Sequence, residues 1–299
     1  MTIPNAITCD LEDYYQVQNF EGIVDRDQWP SIPSRLAEST ARVLELFSET
    51  STRATFFILG WNAEHHPEIV RRVADAGHEV ASHGYAHRMI AEQTPEEFRE
   101  DVRRAKALLE DIAGRPVLGY RAPTFSITEH TRWAIDVLAD EGYRYDSSIF
   151  PIRHDRYGIP DAPRFLHRAQ GANGRSIVEF PPTTVRLLGT NLPVAGGGYL
   201  RLFPVRLIRA ALRRVNRAGQ PAVVYFHPWE LDPGQPRMAV RGLRRFRHYV
   251  NLARTAGKLR VLLRSLPFTS AREVVAQWET APQSHPDPVA PVSGGTLDG

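Results

Sequence analysis

Short runs rich in β-branched and aromatic residues alternate with amphipathic helical stretches along most of this chain, and that alternation limits the fold more than any other feature. Residues 5–8, 54–58, 79–82, 117–120, 177–180 and 222–226 read as strands, each apolar or alternating and bounded by turn residues. Helical patterns fill several of the intervals. The best delimited covers 95–112, with Thr94 as its cap, Pro95 at the first helical position, Glu97 completing a capping box and Gly114 just past its end. A second, near 128–140, has Ser126 and Glu129 at capping-box spacing and closes at Gly142. Strand and helix alternating in this way predict an α/β fold on a mainly parallel sheet, doubly wound or closed into a barrel. Either form gathers working residues at the C-terminal ends of its strands.

The 299 residues suffice for one large domain, and neither a repeat nor a convincing linker interrupts them. We therefore expect one domain over 1–280, followed by a disordered tail at 281–299 that is rich in Pro, Ser and Gly. No apolar run reaches the roughly 18 residues of a membrane span, and the acidic start is unlike a signal peptide, so a cytoplasmic location is expected. The single cysteine, Cys9, excludes an intramolecular disulfide and a zinc site built on several thiolates, leaving His and carboxylates as metal ligands.

Charge is unevenly spread. Residues 200–266 hold about 15 Lys or Arg against about 2 acids, and Arg201, Arg206, Arg209, Arg213, Arg214 and Arg217 interleave with Leu202, Phe203, Val205, Leu207, Ile208, Leu212 and Val215 as on one amphipathic helix with an arginine face. That basic segment is expected either to be a solvated face or to make peripheral contact with the inner membrane surface or a phosphate-bearing substrate. No recognition motif accompanies the charge, so nucleic acid is not an expected partner.

The chemistry-bearing residues cluster at strand ends. His83 and His87, in SHGYAH, follow a strand and would share a face if the segment coils into a helical turn, able to grip one metal ion. Asp10, Glu12 and Asp13 put three acids at the end of the first strand, where a buried sheet needs them partnered. One carboxylate with two imidazoles is a zinc-type ligand set. Arg121, in GYRAPTF, could hold a carboxylate ionised through its fixed guanidinium fork. His227 ends the apolar strand in VVYFHPWELD, where a hydrogen-bonded core histidine is the bland alternative to a catalytic one.

Together these motifs resemble the polysaccharide deacetylases with the NodB homology domain, carbohydrate esterase family 4, in motif order from about Thr8 to Phe268. TCDLEDYYQV and YFHPWELD are most similar to the subgroup found in exopolysaccharide gene clusters of the exosortase type. The resemblance implies a distorted (β/α) barrel and a metal-dependent N-deacetylase acting on an N-acetylated polysaccharide or lipid-linked glycan precursor. It implies Asp10 as catalytic base, His227 as general acid, Arg121 and Pro123 as the third motif, and a divalent metal, Zn2+ foremost, on His83, His87 and an acid. Asp146, in DSS, matches the fourth motif and would orient His227. The family's adjacent pair of aspartates is here split by Leu11, so the acid ligand is Glu12 if strand alternation continues, and Asp13 if the strand stops near Asp10; Asp13 is preferred. Tyr85, Phe125 and Trp229, beside the motifs, are expected to stack on sugar with Pro123. The alternatives are hydrolysis of another amide or an O-acetyl ester, or an inactive carbohydrate-binding protein.

Overall fold

Seven buried residues, Asn5–Leu11, form strand β1, on which the sheet is organised. The computed structural model describes residues 3–194 and 196–281, and in it β1 lies between β2 (Thr55–Ile58) and β10 (Val223–Phe226). Its first residues also pair with β11 (Phe268–Thr269). Beyond β2 come β3 (Glu79–Ser82), β4 (Gly119–Tyr120), β5 (Tyr145–Asp146), β7 (Ser176–Glu179) and last β6 (His167–Gln170). Every pairing in this sheet is parallel except β6 with β7, and among the described residues β6 and β10 do not pair with each other. The result is a distorted (β/α) barrel left open at one seam. A separate hairpin, β8 (Thr184–Leu187) with β9 (Thr190–Pro193), follows β7.

The crossovers are α1 (Leu36–Glu49), α2 (Gly60–His65), α3 (Pro67–Asp75), α4 (Pro95–Ala113) and α5 (Trp133–Asp140). After the hairpin come α6 (Gly197–Leu202), α7 (Val205–Arg217), α8 (Gly242–Tyr249), α9 (Leu252–Ser265) and α10 (Ala271–Thr280). None of these helices is long and apolar enough to cross a membrane.

Period-two alternation sorts β1 between two environments. Ile7, Cys9 and Leu11 enter the main core beneath the helices, whereas Ala6, Thr8 and Asp10 point the other way, into the barrel. Phe57, Ala81, Tyr145 and Val178 fill that interior, and α10 packs Ala271, Val274 and Val275 against them. Apolar filling of one end leaves the polar inward positions for the opposite rim, where the parallel strands all end.

The capping reading of α4 holds in detail: the Thr94 hydroxyl accepts from the Glu97 amide, the Glu97 carboxylate accepts from the Thr94 amide, and Gly114 takes a left-handed φ of 63°. At α5 it does not. Thr128 with Thr131 caps the preceding turn, while Ser126 accepts from the Ile90 amide. The long arginine helix is also interrupted, because Pro204 lacks the amide to continue α6 and α7 starts anew. The expected tail lies outside the described residues except at Ala281.

Candidate active site

Four loops leaving the C-terminal ends of parallel strands bring the sequence-predicted residues together. Strand β1 runs through Leu11, so alternation carries Glu12 to the face of Asp10 and turns Asp13 away. The Glu12 carboxylate Oε1 lies 2.9 Å from His83 Nε2 and 3.2 Å from His87 Nε2, all three residues buried. Asp13 is spent elsewhere: its oxygens accept from the Tyr14 amide at 2.8 Å, the Ser34 hydroxyl at 2.6 Å and the Arg35 amide at 2.9 Å. The preference for Asp13 as ligand is therefore corrected in favour of Glu12; β1 extends further than its apolar pattern suggested.

The two histidines do not meet on a helical turn either. Residues 83–87 form an irregular bend in which Gly84 has φ 71° and His87 φ 51°, and these left-handed steps fold the second imidazole back over the first. An L-residue in that region is strained, which is common where a side chain must be aimed.

His83 Nδ1 is 2.7 Å from the Arg121 carbonyl, which can only accept, so Nδ1 carries the proton. In the neutral ring Nε2 is then a lone pair facing the carboxylate oxygen of Glu12 at 2.9 Å. Two acceptors at that distance need either a proton or a metal ion between them. One ligand atom from each of Glu12, His83 and His87 lies within 4.8 Å of the others, buried in a set of one carboxylate and two imidazoles that suits a divalent ion. The carbonyl behind His83 is the outer support that fixes a ligating tautomer. Burial pushes the Glu12 carboxyl up, but the neighbouring His87 and His227 and the hydrogen bonds from both ligand histidines outweigh it, leaving Glu12 ionised.

Asp10 stands beside this trio. Its Oδ1 accepts from Arg121 Nη1 at 2.5 Å, and the same nitrogen donates to the Thr8 hydroxyl at 2.8 Å. Arg121 is wholly buried, lies 4.1 Å from the Phe57 ring centroid and also donates to the carbonyl and hydroxyl of Ser147. A guanidinium with this many fixed acceptors cannot follow Asp10 if the carboxylate moves, so the aspartate is held.

His227 follows β10 directly. Its Nδ1 donates to Glu230 Oε1 at 2.7 Å, which aims Nε2 at Asp10 Oδ2, 4.0 Å away. Glu230 is completely buried and pairs with Arg201 Nε at 2.7 Å. Burial pushes the His227 imidazolium pKa down, but Glu12, Glu230 and Asp10 push it further the other way, up to about 9. Arg201, Glu230, His227, Asp10 and Arg121 thus form a buried file of alternating charge.

Sequence reasoning missed Glu230 and Arg201. The signal for Glu230 was present: His-Pro-x-Glu has capping spacing with proline at the first helical position, and the Glu230 carboxylate does accept from the His227 amide at 3.1 Å. Asp146 does not orient His227. It faces Glu179 across the β5–β7 register, with Ser148 donating to its Oδ1. Burial pushes both carboxyls up, and the Asp146 charge adds to it at Glu179, which lies well above its ordinary range, so this pair retains a proton. Arg201 was placed among the membrane-facing arginines, but it is buried.

The expected sugar platforms are packed to different extents, with Tyr85 still partly exposed. Phe125 and Trp229 are only 8% and 5% exposed. Phe125 packs on Phe150 and Tyr225, and Trp229 stacks between His227 and His248 with centroids 5.2 and 4.2 Å away. Tyr85 is engaged by Glu64 and lies 3.8 Å beneath the Arg104 guanidinium. Pro123 is buried and starts the turn in which Thr124 and Phe125 take φ 56° and 52°. These residues build the walls.

Residues 27–145 match the family model described as Polysaccharide deacetylase, and 147–276 match one described as Domain of unknown function (DUF3473). Among relatives, the chain is 34% identical over 100 residues to the peptidoglycan-N-acetylglucosamine deacetylase of Bacillus cereus, covering 33% of this chain and 36% of that one. It is 32% identical over 108 residues to the peptidoglycan deacetylase of Helicobacter pylori, covering 36% of each. The match thus spans little more than a third of either relative's length. A crystal structure from Mycobacterium smegmatis assigned to the polysaccharide deacetylases covers 97% of this chain and is itself covered to 95%, with TM-score 0.59 and 21% identity, a likeness of fold. His83, His87 and Arg121 lie in the first matched segment and Arg201, His227 and Glu230 in the second, while Asp10 and Glu12 precede both.

Proposed function

We propose that this chain, which belongs to the polysaccharide deacetylase family over residues 27–145, hydrolyses N-acetyl groups from amino sugars of a glycan with a divalent metal at Glu12, His83 and His87. The observation that carries the reading is convergence: three ligands, an arginine-held carboxylate and a glutamate-held imidazole meet on one rim. Both relatives named above are deacetylases of N-acetylated cell-wall polymer by name, which supports the same substrate class here. Residues 1–280 act as one catalytic unit in this reading, supported by the pairing of β1 with both β10 and β11.

When bound, a metal such as Zn2+ polarises the acetyl carbonyl and makes water a nucleophile near neutral pH. The remaining work falls to side chains. Asp10, held and oriented by Arg121, takes the proton of the attacking water. His227, protonated and aimed by Glu230, gives its proton to the departing amine nitrogen. Arg201 neutralises the Glu230 carboxylate inside the protein, so the imidazolium is stabilised without a net buried anion.

The test joins metal analysis of the purified protein to acetate release from N-acetylated chitooligosaccharides and peptidoglycan fragments. Stoichiometric metal with acetate release is expected. A metal-loaded protein that releases another product from a cyclic amide, or acetate only from O-acetyl esters, would move the reading to a different hydrolase.

A further inference from the structure

Among the described residues, nine of the ten exposed large apolar side chains lie between Leu187 and Val261. Over 182–266 the chain also carries 16 Lys or Arg and only two acids, Glu230 and Asp232. Both acids are buried and paired, Glu230 with Arg201 and Asp232 with Arg35 and Arg42. Every exposed charged side chain of this stretch is therefore basic.

The sharpest case is α8. His248 is its one buried residue; Leu243 and Phe246 are 59% and 53% exposed at adjacent positions of the helix surface, between exposed Arg241, Arg244, Arg245 and Arg247. Among the described residues that face stays open to solvent. The neighbouring corner between α6 and α7 repeats the composition with exposed Leu202, Phe203 and Leu207 beside Arg206. The two are tied together: Arg201 donates to the His248 carbonyl, and Asn251 donates back to the Arg201 carbonyl at 3.0 Å.

We infer that α8 and the α6–α7 corner form a docking surface for an anionic lipid bilayer, with Leu243 and Phe246 entering the acyl boundary and the arginines resting on phosphate headgroups. Arginine around exposed aliphatic side chains fits this partner, because leucine gains by entering hydrocarbon and gains nothing from a nucleic acid backbone. The surface lies one aromatic stack from the catalytic rim, since His248 of α8 stacks on Trp229, which stacks on His227. Resting on the proposed deacetylase reading, this position favours a glycan presented at the membrane surface, such as a lipid-linked precursor.

The experiment is co-sedimentation with vesicles of phosphatidylglycerol and phosphatidylcholine in equal parts, against phosphatidylcholine alone. The protein should pellet with the anionic vesicles, and rising salt should release it. Leu243→Ser with Phe246→Ser should lower the partition about tenfold or more, and Arg244→Gln with Arg245→Gln about fivefold per charge. Both variants should keep the melting temperature and the rate of acetate release from soluble oligosaccharide, so loss of docking and loss of the enzyme reading are separately visible. Absence from the pellet at low salt, or equal pelleting of wild type and variants, overturns the inference. So does a concentration-dependent dimer abolished by the same substitutions, or retention on duplex DNA without vesicle binding.

Discussion

Replacing Glu230 by Gln removes one negative charge from the centre of the buried file while keeping the side chain's shape. Two effects follow. His227 loses a hydrogen-bonded anion at 2.7 Å, and Arg201, until then paired at 2.7 Å, becomes a buried cation that repels the imidazolium. The elevation of the His227 pKa from the ordinary 6.5 to about 9 corresponds to roughly 3 kcal/mol at about 1.4 kcal/mol per unit, shared among Glu12, Glu230 and Asp10 after desolvation is overcome. Loss of one main contributor and gain of a repulsion should lower that pKa by a unit or more. The assay is the pH dependence of kcat/KM for acetate release: the basic limb should move to lower pH, with the rate above it falling about tenfold per unit. Leaving Arg201 unpaired should also cost about 3–5 kcal/mol of stability. The double variant Glu230→Gln, Arg201→Met should regain much of that stability without regaining the basic limb. An unmoved basic limb in a folded, metal-replete Glu230→Gln protein would refute the assignment of His227 as the proton donor.

Other consequences are simpler to test. Asp10→Asn should cut turnover about a hundredfold to ten-thousandfold while the protein still binds metal stoichiometrically. Glu12→Gln should lose metal by elemental analysis, whereas Asp13→Asn should keep it and instead show a lower melting temperature through its contacts to Ser34 and Arg35; the reverse pattern would restore Asp13 as the ligand. In metal-free protein, a raised folded pKa means that His227 contributes stability fully below its unfolded value near 6.5. That contribution disappears as pH climbs through about 9, so the melting temperature should decline over this window and Ala at position 227 should flatten the decline.

The rim was legible in the sequence because the chemistry sits where short apolar runs end. His83, His87 and His227 each follow a strand whose residues are unambiguous, and Thr94, Pro95 and Gly114 delimit α4 by local rules alone. What sequence alone left obscure depends on long-range pairing. The strands β5 and β11 have two residues each, too few for any periodicity, and only their neighbours make them strands. Choosing between Glu12 and Asp13 required knowing that β2 and β10 hold β1 extended as far as Leu11 and Cys9 respectively. Arg201 reads as one more arginine of a basic face until the burial of Glu230, nearly thirty positions later, supplies a reason to turn it inward. Aromatic residues read differently: near a motif they suggest sugar stacking, but Phe125 and Trp229 are buried, Phe125 against Phe150 and Tyr225 and Trp229 between His227 and His248.

The neighbour of β1 on one side, β10, is made late: Thr8 and Val224, which share a hydrogen bond, are 216 residues apart. While the ribosome is still working through the middle of the gene, the first strand waits with one edge bare, and Asp10 has no His227 to face. The nascent polypeptide thus holds Glu12, His83 and His87 long before it holds Arg201, His227 and Glu230, and a product terminated before α6 would lack all three of the later groups.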